Sequence, residues 1–117
     1  MNVARAASLL EGSVVSCAAA AEGREVLGGY ASDLLSDVIA NTRERDIWIT
    51  MQKHVNVVAV AKLKGLAAIV LVNARRPDDD TLSRAEAEGV VVVCTSLAAF
   101  DAAGRLFAEG LRSGRAS

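Results

Sequence analysis

Residues 46–72 read DIWITMQKHVNVVAVAKLKGLAAIVLV, and their pattern decides the fold. Two apolar runs, Asp46–Met51 (DIWITM) and Ala67–Val72 (AAIVLV), bracket the segment Val55–Lys64 (VNVVAVAKLK). Both runs are short, continuous and β-branched, as strands covered on both faces are. The middle segment reads as a helix in spite of its valines, which lower helix propensity. Lys62 and Lys64 suit the negative end of its dipole, and Gly65 can take the left-handed position that ends it. Strand, helix, glycine and strand in that order predict a right-handed crossover within a parallel sheet. The helix is apolar almost all the way round. Such a helix is expected to be buried on more than one side, here against the sheet and against a second subunit.

The same unit recurs downstream. Asp80–Glu88 reads as a helix with Leu82 and Ala85 as its apolar stripe. Asp78, Asp79 and Asp80 supply negative charge at its start, and Gly89 closes it. Val90–Cys94 (VVVVC) is then a further strand. The last helix is expected from Leu97 to Arg112, with Ser96 as N-cap and Leu97, Phe100, Ala103, Phe107 and Leu111 as its core stripe. Upstream, Val3–Leu10 reads as an amphipathic helix, Ser13–Cys17 as a short strand and Ala18–Gly23 as a small-residue connection. Val26–Ala31 reads as a strand interrupted by Gly28-Gly29, where a bend or a close backbone approach is expected. Ser32 or Asp33 would cap a short helix whose apolar face is Leu34, Leu35, Val38 and Ile39, and Asn41–Arg45 is a polar turn. The sum is one α/β domain over residues 1–117, with a mainly parallel sheet of about five strands flanked by helices and a frayed tail at 113–117.

Composition narrows the function classes. Apolar residues make up 52% of the chain, enough for one core, but alanine and valine dominate and aromatics are scarce. A core of small side chains buries less area per residue, so a domain of this size gains from pairing with a second copy. The net charge is −1 and the basic residues are dispersed, which argues against nucleic acid as a partner. The N-terminus lacks the apolar stretch of a signal peptide, and no apolar run is long enough to cross a bilayer. A cytoplasmic location without membrane contact is therefore expected. Cys17 and Cys94 lie in separate apolar runs without a C-x-x-C spacing and read as buried free thiols.

No catalytic constellation emerges. A P-loop, a G-x-G-x-x-G fingerprint and a G-x-S-x-G elbow are all missing. The one histidine, His54, has no cysteine or carboxylate at zinc-ligand spacing, and the acidic triplet reads as helix capping rather than as a metal site. No enzymatic activity, cofactor or metal is expected. What remains is the set of polar residues just beyond each strand, where open parallel sheets bind ligands. Ser32 and Asp33 follow the glycine pair. Thr50, Gln52, Lys53, His54 and Asn56 follow the next strand, Asn73, Arg75 and Arg76 the one after, and Thr95 and Ser96 the last. Of these, Asp33, Thr50, Gln52, His54, Asn56, Asn73, Arg75 and Thr95 form the candidate ligand site. Arg75 and Arg76 can neutralise a phosphate or carboxylate, helix N–H groups after His54 attract anions, and His54 can change charge near neutral pH. The plain alternative is that these residues cap helices and face water, as strand-to-helix turns do in any α/β domain.

Three segments carry a resemblance. They are Gly28-Gly29-Tyr30-Ala31-Ser32-Asp33-Leu34-Leu35-Ser36-Asp37-Val38, Ile47-Trp48-Ile49-Thr50-Met51-Gln52-Lys53-His54-Val55-Asn56 and Lys64-Gly65-Leu66-Ala67-Ala68-Ile69. Together they resemble stand-alone DRTGG-domain proteins, over about Val14 to Leu111. The fold of that family is similar to the N-terminal domain of HPr kinase/phosphorylase. The family's Asp-Arg element falls on Lys53-His54 and its Thr-Gly-Gly element on Val72-Asn73-Ala74, so none of the five residues is kept, whereas Pro77 fits the pattern. Family members accompany CBS domains in regulated pyrophosphatases and lie within some phosphotransacetylases. The resemblance implies an accessory module that regulates or dimerises. Three functions follow as expectations: a non-catalytic homodimeric regulatory or assembly module, a sensor of a nucleotide or other anion, and a docking adaptor for a metabolic enzyme.

Overall fold

The apolar runs form the inner strands of one five-stranded sheet in the computed structural model, which describes residues 1–114. In chain order the elements are α1 (Val3–Leu9), β1 (Ser13–Ser16), a 3₁₀ turn (Ala18–Ala20), β2 (Gly28–Ala31), α2 (Leu35–Asn41), β3 (Asp46–Thr50), α3 (Asn56–Lys64), β4 (Ala68–Leu71), α4 (Asp79–Glu88), β5 (Val92–Cys94) and α5 (Ala99–Ala108). The strands lie in the order β1-β5-β4-β3-β2.

The expected mainly parallel sheet is corrected to a mixed one. The pairings β2–β3, β3–β4 and β4–β5 are parallel, but β1 runs antiparallel to β5 at the far edge. A bulge between Val14 and Ser16 shifts the register there. The buried Ser16 hydroxyl bridges it, donating to Val90 O at 2.7 Å and accepting from Val92 N at 2.8 Å. Gly12 lets the α1–β1 turn reach this edge. A Cβ at that position would sit 2.8 Å from Val93 Cγ1 and 3.0 Å from Cys94 O. Periodicity cannot reveal such a pairing, because it depends on which edge the N-terminal segment reaches.

Alternation along the strands builds two cores, since successive side chains point to opposite faces. Trp48, Ile69, Leu71 and Val92 meet α2, α3 and α4 on one face. Ile47, Ile49, Val70, Val72 and Val93 meet α1 and α5 on the other. Helix α3 lies between α2 and α4 and buries Val57, Val58, Val60 and Ala61, while Leu63 remains 69% exposed.

Helix α5 departs from expectation. It begins at Ala99 with Ala98 at the cap position and no side-chain cap, so Ser96 does not cap it. Its buried residues are Ala102 and Leu106, with Leu97, Ala99, Ala103 and Leu111 packed partly against the core. Phe100 and Phe107 are 88% and 57% exposed. The small residues bring the helix close to the sheet, and the phenylalanines fall on its flank. In α2 neither Ser32 nor Asp33 caps through its side chain at the N-cap position, which Leu34 occupies. Val38 is buried and Leu35 partly so, but Leu34 and Ile39 are exposed. Strand β2 starts only at Gly28, and Gly29 N donates to Arg112 O on the open edge. Both cysteines are unpaired and half-buried rather than fully buried, and burial pushes both thiols up from their ordinary value. The tail expected to fray lies mostly outside the described residues. No described helix is long and apolar enough to cross a membrane.

Candidate functional site

Where adjacent parallel strands send their chains to opposite faces of a sheet, a crevice opens beyond the strand ends. This fold has one such point. After β4 the chain crosses to α4 on one face, and after β5 it crosses to α5 on the other. The two loops are tied together by Asn73 N donating to Leu97 O and Ala74 N donating to Thr95 O, each at 2.9 Å. Both Asn73 and Ala74 adopt φ of 59°, the left-handed region that favours glycine. These are the positions onto which the two glycines of the resembled motif fall. Here non-glycine residues hold the left-handed backbone. A side chain in that conformation costs about 1–2 kcal/mol, partly offset by the greater chain entropy glycine loses, about 0.5–1 kcal/mol. Ala74→Gly is therefore expected to raise stability by about 0.5–1 kcal/mol, read as a rise of a few degrees in the thermal midpoint by circular dichroism.

The strand-end residues separate into groups. Asp33, Thr50 and Gln52 come together. Asp33 Oδ1 accepts from Thr50 Oγ1 at 2.7 Å and from Met51 N at 2.8 Å, Gln52 N donates to Thr50 Oγ1, and Gln52 Nε2 donates to Asp33 O. Thr50 is buried, and this knot joins the ends of β2 and β3. Asn73 Nδ2 contacts Met51 Sδ at 3.1 Å and extends it toward β4.

His54 belongs to a different cluster. Its Nδ1 donates to Asp78 Oδ2 at 3.0 Å, and Lys53 Nζ lies 3.5 Å from Asp78 Oδ1. Asp78 N and Thr81 Oγ1 both donate to Lys53 O, so the segment before α3 is bound to the start of α4. The His54 hydrogen bond holds the Asp78 carboxyl below its ordinary range against the opposing effect of desolvation, and the Lys53 charge adds a smaller pull in the same direction as His54. The residue Asp78 thus acts beyond its expected place in the acidic start of α4. Spacing could not show this, because 24 positions separate it from His54.

Thr95 is buried and turns away from the rim. Its hydroxyl donates to Leu10 O at 2.7 Å and accepts from Leu97 N. Asn56, Arg75 and Arg76 are exposed. Of the eight candidates, the fold gathers Asp33, Thr50 and Gln52 tightly, places Asn73 beside them, gives His54 to Asp78, directs Thr95 inward and leaves Asn56 and Arg75 exposed. Among the described residues no group of histidine, cysteine and carboxylate side chains could hold a metal ion.

Of the candidate residues, only Asn56 lines either of two hollows. One of about 250 Å³ lies between α5 and the open edge of β2, lined in part by Tyr30, Ile49, Phe107 and Arg112. Another, of about 490 Å³, runs along α3 and α4 past Val55, Ala59, Leu63 and Arg84. The sequence marked this region only through the all-round apolar character of α3. It carried no signal for the contribution of Arg84, because the α3–α4 neighbourhood is a tertiary fact.

No family model matches the chain, and neither does any curated protein sequence. Among solved structures, the fold is similar to that of the CBS and DRTGG domains of the regulatory region of Clostridium perfringens pyrophosphatase, complexed with the activator diadenosine tetraphosphate. The TM-score is 0.67 at 14% identity, over 89% of this chain and 48% of that one. This chain therefore spans about half the length of the structure it matches. The likeness supports a DRTGG-like fold.

Proposed function

We propose that the chain is a non-catalytic regulatory or assembly module that works as a homodimer. The observation that carries this reading is how the surface is used. Polar residues at the strand ends are largely tied to one another and to the backbone, while large apolar side chains are left facing water. Exposed apolar groups such as Leu63 on α3 and Phe100 and Phe107 on α5 suit docking to another protein surface, whereas chemistry needs convergent unpaired polar groups. The similarity to a regulatory region of a pyrophosphatase supports the same reading. Light scattering on the purified chain at tens of micromolar tests it. The expected mass is that of a dimer, and a clean monomer would sink the reading.

A second reading, a sensor of nucleotides or other anions, is favoured by Arg75 and Arg76 standing exposed beside the β4–β5 switch point. The similar pyrophosphatase region is complexed with a nucleotide activator, which lends it support. A thermal-shift series over nucleotides and acyl phosphates is the test. The sensor requires a rise in melting temperature that Arg75→Ala or His54→Ala diminishes. A series with no shift, or a shift indifferent to both variants, removes this reading. A docking adaptor for a metabolic enzyme is the third use such a surface would have.

A further inference from the structure

The hollow between α5 and the open edge of β2 exists because both of its walls carry small residues. Side chains alternate between faces along β2. Tyr30 takes the α2 face, where its hydroxyl donates to the Asp37 carboxylate at 2.9 Å. Gly29 and Ala31 are therefore left for the face that α5 covers, beside Ile49 of β3. Opposite them α5 presents Ala103. A Cβ on Gly29 would meet nothing closer than Ile47 Cγ2 at 3.6 Å, so the strand has room for a side chain it does not carry. The result is a mainly apolar space of about 250 Å³. A dry cavity of about 150 Å³ admits benzene, so this one admits a ring with a short substituent.

One charge stands at its rim. Arg112 is the only charged side chain that lines the hollow. The fold holds it there without a counter-ion. Its carbonyl accepts from Gly29 N at 3.2 Å, and its Nη1 donates to Phe107 O at 2.9 Å and to Leu111 O at 2.8 Å. The guanidinium lies 3.6 Å from the centre of the Phe107 ring. These contacts order the side chain at the end of α5 but leave Nε and Nη2 without an acceptor among the described residues. None of the five ion pairs among those residues uses Arg112. Glu109, the acidic residue nearest to it in sequence, is taken by Arg5 at 3.4 Å.

A guanidinium offers a planar fork of donors that matches a carboxylate, and one already ordered loses less freedom on binding. An apolar hollow with a single placed polar group is the usual make-up of a small-molecule site. We propose that this hollow binds a small carboxylic acid with an apolar, ring-sized body. The body lies among Gly29, Ala31, Ile49 and Ala103, and the carboxylate meets Nε and Nη2 of Arg112. The site is separate from the strand-end candidates, none of which lines it, and it does not depend on the homodimer reading.

The test is a titration of the full chain, followed by amide chemical shifts, with phenylacetate and with its neutral isostere phenylacetamide. Phenylacetate is expected to move the amides of Gly29, Ala31, Ala103 and Leu111 with a Kd of about 1 mM, as befits so small a ligand. Phenylacetamide is expected to bind about tenfold more weakly, because it lacks the charge. Arg112→Gln keeps a donor but loses the charge. It is expected to weaken phenylacetate by about tenfold and to leave phenylacetamide unchanged, a split that a merely structural role would not produce. Gly29 does not have a positive φ, so Gly29→Val is compatible with the strand, fills the hollow and is expected to abolish binding of both probes. Equal affinity for acid and amide, indifference to Arg112→Gln, shifts confined to residues outside the hollow, or no shift at about 10 mM would each overturn the proposal. So would a natively folded Gly29→Val that binds like the parent. If that variant lacks native circular dichroism, the acid–amide comparison on the parent and on Arg112→Gln decides alone.

Discussion

Replacing Trp48 with alanine is expected to cost about 3–5 kcal/mol of stability, the range for removing a large buried aromatic side chain. Trp48 is the only tryptophan in the chain, and none of its surface reaches solvent. It lies on β3, on the sheet face covered by α2, α3 and α4, in a core otherwise made mostly of valine, isoleucine, leucine and alanine. Those small neighbours have little reach with which to refill the space. The indole also does polar work, as Nε1 donates to Ser32 O at 2.8 Å and ties the end of β2 to β3. Domains of this kind are stable by only about 5–15 kcal/mol, so the variant would lose a large part of the total. Urea denaturation followed by far-ultraviolet circular dichroism reads this without relying on the lost fluorophore. Trp48→Phe separates the two contributions. It keeps much of the packing but leaves the Ser32 carbonyl without its donor, so a loss of about 1–3 kcal/mol is expected. An alanine variant as stable as the parent would refute the assignment of Trp48 as the keystone of this face.

Ser16→Ala is expected to cost about 1–3 kcal/mol, although it removes a single oxygen atom. The Ser16 side chain is buried, and its hydroxyl is both donor and acceptor at the bulge joining β1 to β5. Without it, Val92 N–H and Val90 O each lose a hydrogen-bond partner in a buried setting, and the unsatisfied donor carries most of the penalty. The loss should be local. Hydrogen exchange is expected to quicken most at β1 and the adjoining backbone of β5, with β2 and β3 less affected. Uniform acceleration across the sheet would contradict the view of β1 as a strand stitched on at the edge.

The two variants bracket what could be read before any coordinates. Trp48 sits in an apolar run whose length and β-branched content already pointed to a doubly covered strand, and β3, β4 and β5 fall where those runs lie. The same runs, with Gly65 and Gly89 at left-handed helix ends, located α3 and α4 to within a residue or so. Ser16, by contrast, had no visible role. Its partners are 74 and 76 positions away, and the antiparallel pairing that uses it departs from the expected parallel pattern. The aromatic stripe of α5 misled for a related reason. Helical spacing shows which residues share a face, but not which face the sheet will take. The sheet took the face with Ala102 and Leu106 and left Phe100 and Phe107 outside.

The candidate site divides along the same line. That polar residues would gather beyond the strand ends was legible, because crossover connections place turns there whatever the fold does with them. Their partners were not legible, because a hydrogen bond spans a few ångströms of space and any distance in sequence. Asp33 found Thr50, His54 found Asp78, and Thr95 found Leu10. By itself the sequence determined the local structure: strands from runs of β-branched residues, helix ends from glycines, and the order of crossovers from their alternation. Only the tertiary structure decided the edge β1 would join, the face α5 would bury, and the meeting of Lys62, Leu63 and Arg84 along one groove. Local patterns report the chemistry of neighbours along the chain, whereas a surface is made by elements that packing alone brings side by side.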